Sequence, residues 1–182
     1  MDADGVVNAR STAQLHLAEA LPRRWTHVQA VAAKAHSLVG LVGQDRHLLV
    51  AAAFLHDIGY APEIRDTGFH ALDGARWLLR NGFEPRLAGL VAYHSCAAYE
   101  AAERGLTDAL FSEFTREESE TSDALWFADM TTGPDGQDFT PEQRLAEIRE
   151  RYGPEDLVTR FWAKAEAPLL EAIRRTEERL MA

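Results

Sequence analysis

The chain has 182 residues, 46% of them hydrophobic, and a formal net charge of −10, a length that supports one substantial core and leads us to expect a single domain over residues 1–182. The acidic balance argues against a broad surface for long nucleic acid, which needs clustered basic residues, and the single cysteine, Cys96, excludes an intrachain disulfide or a cysteine-built zinc site. The longest apolar run, Leu48 to Leu55, is too short for a membrane span, and Met1-Asp2-Ala3-Asp4 is acidic where a secretory leader is basic, so the expected location is the cytoplasm, with no membrane partner.

Apolar residues recur at spacings of three and four through Ala/Leu/Glu/Arg-rich sequence and strand signals are nearly absent, so the expected fold class is all-α. Pro22 suits the first turn of a helix running through Trp25, Val28, Val31 and Ala32 to Leu38 and ending near Gly40 or Gly43. A second helix is expected from Asp45 to Ile58 with Gly59 as its stop, a third from about His70 to Arg80 before Asn81-Gly82, and a fourth from Pro85 to about Ser95. Between Ala97 and Thr121 the pattern is less regular, with helical pieces separated by Gly105 and the polar run Arg116 to Ser122. A helix from Ser122 to Met130 is followed by a turn at Pro134-Asp135-Gly136. Thr140 reads as the N-cap of a helix that Gly153-Pro154 closes. The last helix, about Glu155 to Leu180, places Val158, Phe161, Trp162, Leu169, Ile173 and Leu180 on one core-facing stripe.

The chemistry centres on the adjacent pair His56-Asp57 at the end of an apolar helix. Taken alone, such a pair is most often a surface or helix-end feature. Here it follows Val50-Ala51-Ala52-Ala53-Phe54-Leu55, and burying Asp57 there is costly unless its charge is paired or coordinated. The C-terminal end of a helix also favours a cation. His27 lies on the preceding helix, and Asp129 ends the apolar stretch Trp126-Phe127-Ala128. Two carboxylates with imidazoles suit Mn²⁺, Fe²⁺, Zn²⁺ or Ni²⁺ better than Ca²⁺. His16, His36 and His47 fit no such pattern and are read as packing or solvent-facing residues.

The segments Arg24-Trp25-Thr26-His27, Ala53-Phe54-Leu55-His56-Asp57-Ile58-Gly59 and Ala128-Asp129 together resemble the H…HD…D signature of the HD superfamily, over roughly residues 20–135. The resemblance implies a helical bundle, with the helices of 140–181 packing on the motif region, and metal-dependent phosphohydrolase activity on nucleotides and related phosphate esters. Phe69-His70-Ala71-Leu72-Asp73-Gly74-Ala75 and Val91-Ala92-Tyr93-His94-Ser95 resemble the additional histidines of the branches that hold two metals, which would make His70 and His94 ligands of a second ion with Asp57 between the two. The implied reaction is hydrolysis of a small phosphorylated substrate by hydroxide generated at one or two divalent transition metals. By neighbourhood, Arg24 and Arg76 are expected phosphate clamps, Asp73 or Asp66 proton acceptors, and Ser95 or Thr131 hydrogen-bond partners; Asp57, Asp73 and Arg76 are the expected catalytic residues. For Arg76 an exposed helix surface, and for Asp73 a first-turn cap, are the plain alternatives.

Several branches of the superfamily fit poorly. Ile58-Gly59-Tyr60-Ala61-Pro62 follows the pair where guanosine tetraphosphate hydrolases have Glu-Asp, Tyr60 stands where cyclic-dinucleotide phosphodiesterases have lysine, and Glu63 and Asp66 are displaced from the acidic position of the deoxynucleoside monophosphatases. The di-iron oxygenases share the spacing of His70, Gly74-Ala75 and His94, but Ala97-Ala98 replaces their substrate-binding lysine. That oxygenase, and a binding domain without turnover, stand as the alternatives. Specificity is expected to lie in the loops Tyr60 to Phe69 and Ala97 to Thr121, and a homo-oligomer is allowed.

Overall fold

The computed structural model describes residues 1–153 and 155–182. The chain folds into ten α-helices and four short 3₁₀ turns among the described residues, with one isolated β-bridge between Thr132 and Asp138. The all-α class follows from the helical period of the apolar positions. No described helix is long and apolar enough to cross a membrane.

The first helix, α1 (Ala3–Leu17), was not foreseen in the sequence. Its buried stripe is Ala9, Ala13 and Leu17, two of them small, while Val7 and Leu15 stand exposed and blur the period. Asp2 caps it by accepting the Gly5 amide. Helix α2 (Pro22–Ser37) opens with proline as expected and stops before Gly40. The central helix α3 (Arg46–Leu55) is buried on nearly every side, packed by α1 and α2. It ends at Leu55 rather than Ile58; His56 caps it and a 3₁₀ turn, Ile58–Tyr60, follows.

Helix α4 (His70–Arg80) has the expected bounds, and α5 (Pro85–Ala92) stops short of His94. Residues His94–Cys96 form a 3₁₀ turn in which Ser95 (φ 46°) and Cys96 (φ 63°) adopt left-handed backbone, a costly conformation for side chains with a Cβ. The irregular stretch resolves into α6 (Ala97–Arg104) and α7 (Thr107–Glu113), separated by Gly105. Helix α8 (Glu120–Met130) starts two residues earlier than expected, capped by Ser119. Thr140 and Gln143 form a reciprocal capping box at the start of α9 (Pro141–Tyr152), which Gly153 closes with φ 77°. Pro154 lies outside the described residues.

Helix α10 (Leu157–Met181) buries Phe161, Trp162, Leu169 and Ile173 as expected, with Ala165, Ala172 and Thr176. Leu180 departs from that stripe and is half exposed, because the helix end runs past the packed core. The buried apolar side chains form one continuous core from α1 to α10. Helices α2, α3, α4, α5 and α8 deliver their ends or buried faces to one polar pocket within it.

Candidate metal centre

Six residues from five elements converge in this pocket. His27 comes from the middle of α2, His56 and Asp57 from the junction after α3, His70 from the first position of α4, His94 from the turn after α5, and Asp129 from the last turn of α8. All except His70 are nearly inaccessible. Their donor atoms form two groups, His27–His56–Asp129 and Asp57–His70–His94, each with ligand atoms within 4.8 Å of one another.

Asp57 lies between them. Its Oδ2 is 3.3 Å from His56 Nε2 and 3.8 Å from His27 Nε2, while Oδ1 is 3.5 Å from His70 Nε2 and 4.0 Å from His94 Nε2. Asp129 Oδ1 is 3.1 Å from His27 Nε2 and 3.7 Å from His56 Nε2.

Backbone carbonyls set the ring orientations. The Nδ1 atoms of His27, His56 and His94 lie 3.0, 2.8 and 2.6 Å from the carbonyl oxygens of Gly133, Ala53 and Val91. A carbonyl only accepts, so in each neutral ring Nδ1 carries the hydrogen and Nε2 presents its lone pair to the pocket. Ser95 donates its hydroxyl to Asp129 Oδ2, which fixes that carboxylate and gives the left-handed turn a purpose.

The donor set fits a divalent transition metal. His56 Nε2 is fully buried with no hydrogen-bonding partner, although a polar atom in that position is expensive. His70 and His94 point Nε2 at Nε2 across 3.2 Å, an arrangement that needs a shared proton or a cation between the lone pairs. Mixed imidazole and carboxylate donors are those that Mn²⁺, Fe²⁺, Zn²⁺ and Ni²⁺ accept.

The electrostatics agree. Burial pulls the His56 imidazole down, but Asp57 and Asp129 overcome it and push the group up to about 9, so the pocket calls for positive charge at this point. Burial, aided by neighbouring cationic groups, lowers His70 and His94, keeping them in the neutral form that ligates a metal. Burial would raise Asp57 and Asp129, yet both stand well below the usual carboxylate range: the charges of Arg24 and His56 hold Asp57 down, and His56 and the hydrogen bond to His27 hold Asp129 down.

Arg24 donates to Asp57 Oδ2 at 2.6 Å, and its guanidinium stacks 4.1 Å from the Tyr60 ring centroid. Tyr60 in turn stacks on His70 at 4.1 Å and 15°. Tyr60 was expected in a loop; nothing local marked this stack, since its partners Arg24 and His70 come from α2 and α4.

A cavity of about 180 Å³ opens beside the cluster, reaching Arg24, Asp57, His70, His94 and Asp129. The two expected loops contribute Tyr60 and Gly68, and Glu100 and Arg104. Helices α9 and α10 were not expected there, yet Arg144, Arg151, Tyr152, Phe161 and Trp162 also line it. Burial pushes the Glu100 carboxyl above its usual range despite its pairing with Arg104.

Two expected catalytic residues are not brought to this cavity. Asp73 is buried, but its carboxylate accepts the amides of Asp66, Thr67 and Gly68 and the Thr67 hydroxyl, so it fastens the loop before α4 and has no capacity left for proton transfer. Arg76 makes a bidentate pair with Glu113 of α7, at 2.7 and 2.5 Å, and does not line the cavity. Asp66 is exposed, and the Thr131 hydroxyl donates to the Phe127 carbonyl. His16 packs edge-on against Trp77 and pairs with Glu63, away from the cluster.

Searches of curated proteins and of solved structures returned no match. The sequence profile of the HD domain matches residues 24–152, a span that runs from Arg24 through all six cluster residues to the cavity wall on α9. The chain belongs to the HD-domain family.

Proposed function

We propose that this protein hydrolyses a small phosphate ester with the aid of one or two divalent transition metals held by His27, His56 and Asp129 and by Asp57, His70 and His94. The observation that carries this reading is the position of Asp57, with one carboxylate oxygen toward each histidine pair. When bound, such an ion supplies Lewis acidity toward a phosphoryl oxygen and lowers the pKa of water toward neutrality.

The chain's own groups supply the rest. Arg24 is the cation beside the cluster that meets the cavity, and its planar fork suits two phosphoryl oxygens. The Tyr60 ring fixes it from behind, and its phenol, pushed far up by burial, stays protonated. Phosphorus gains the water oxygen and loses the ester oxygen, and that leaving oxygen needs a proton. Glu100 lines the cavity and holds a proton more readily than an ordinary carboxylate, which makes it the donor in this reading.

The test is hydrolysis of p-nitrophenyl phosphate and bis(p-nitrophenyl) phosphate by chelator-treated protein before and after addition of Mn²⁺. Metal-restored turnover of either ester supports the reading and separates monoester from diester. Two bound irons with no hydrolysis would turn it toward the oxygenase.

A further inference from the structure

Four arginines reach the cavity, and their charges are matched unevenly. Arg24 faces Asp57, and Arg104 donates to Glu100, the proton donor proposed above. On α9, Arg144 and Arg151 both bond the single carboxylate of Glu147. Among the described residues neither has another carboxylate within 4.0 Å, and the nearby Asp135 is taken by Arg23 through two bonds of 2.6 and 2.8 Å. This wall therefore holds one positive charge in excess.

Pairs at these helical spacings are ordinary on exposed surfaces, where they contribute little. Arg144 is not on such a surface: it is 6% exposed, and its Nε is buried with no hydrogen-bonding partner. A buried guanidinium with an unused donor beside a cavity is a site short of an acceptor. Tyr152, Phe161 and Trp162 line the same cavity and give it apolar surface.

We infer that Arg144 and Arg151 form a second anion-binding subsite, so that the substrate is a phosphate ester bearing a further anionic group, carboxylate or phosphate. This rests on the phosphate-ester reading for the first anionic group. The excess charge would make the second group a determinant of specificity, since a ligand lacking it leaves Arg144 unsatisfied.

The test is calorimetric titration of Mn²⁺-loaded protein with non-hydrolysable ligands: alkylphosphonates against ω-phosphonocarboxylates over a series of chain lengths. At one length the carboxylate-bearing ligand is expected to bind about tenfold tighter or more, the worth of a charge-assisted hydrogen bond. Arg144→Gln and Arg151→Gln should each reduce that ratio to about threefold or less; Arg151 is the more exposed, so its variant answers if the buried substitution perturbs α9. Equal binding of the two series at every length, or a ratio that survives both substitutions, would overturn the subsite. If plain alkylphosphonates fail to bind, the phosphate-ester reading falls instead, and alkanedioates against alkanoates judge the α9 subsite with the same variants.

Discussion

A methyl group on Gly59 would lie 2.0 Å from the carbonyl oxygen of His70 and 2.7 Å from the amide of Gly74. Gly59 thus lets the turn after Asp57 rest directly on the start of α4, and Gly74 completes the contact from the other side. This approach puts His70 within reach of Asp57. The sequence suggested a helix-stopping role for Gly59, but its φ is not positive; the need is for space.

Gly59→Ala is therefore expected to destabilise the fold by about 1–3 kcal/mol or more, because backbone atoms rather than a movable side chain oppose the added methyl. Urea unfolding measures this. The variant should also bind less metal than the wild type, since His70 moves away from Asp57.

Arg24→Ala should raise KM for a phosphate ester by roughly ten- to a hundredfold, the loss of a charge-assisted bond to the substrate. Arg24→Lys should recover only part of it, since the ammonium lacks the planar fork and the stacking on Tyr60. Steady-state kinetics on both variants decide the matter; an unchanged KM in Arg24→Ala would remove Arg24 from substrate binding.

If Glu100 protonates the leaving oxygen, Glu100→Gln should lower kcat on an alkyl phosphate by roughly a hundredfold or more, and far less on p-nitrophenyl phosphate, whose leaving group needs no proton. Equal losses on the two esters would instead mark Glu100 as a structural partner of Arg104.

Asp45 accepts both Arg86 at 2.5 Å and the Thr121 hydroxyl at 2.9 Å, and the Arg86 bond leads in holding its carboxyl below the usual range. A carboxylate with a lowered folded-state pKa stabilises the protein above its unfolded value and loses that contribution as pH falls through the folded one. Asp45→Asn should thus lower the urea midpoint at pH 7, and the gap to the wild type should close as the solution is acidified below the usual carboxylate range. A gap independent of pH would contradict this.

The HD motif and its histidines were legible because their spacing encodes the helix ends that meet in the cluster, and α4 because Asn81-Gly82 ends it cleanly. Helix α1 was hidden by its alanine stripe. Asp73 and Arg76 looked catalytic by adjacency to His70, yet the helix turns them toward the loop and toward α7. Glu100 fell within an expected loop but nothing singled it out, whereas Arg144 and Arg151 lie beyond the motif, and only the packing of α9 beside it brings them to the cavity.

The proposed metal centre depends on Asp57 serving both histidine groups. The most direct measurement is elemental analysis of protein purified without chelator, wild type beside Asp57→Ala, with circular dichroism to confirm that both are folded. About two equivalents of transition metal are expected in the wild type, and loss of metal in a still-helical variant. Stoichiometric metal retained by Asp57→Ala, or none in the wild type after incubation with Mn²⁺, would contradict it.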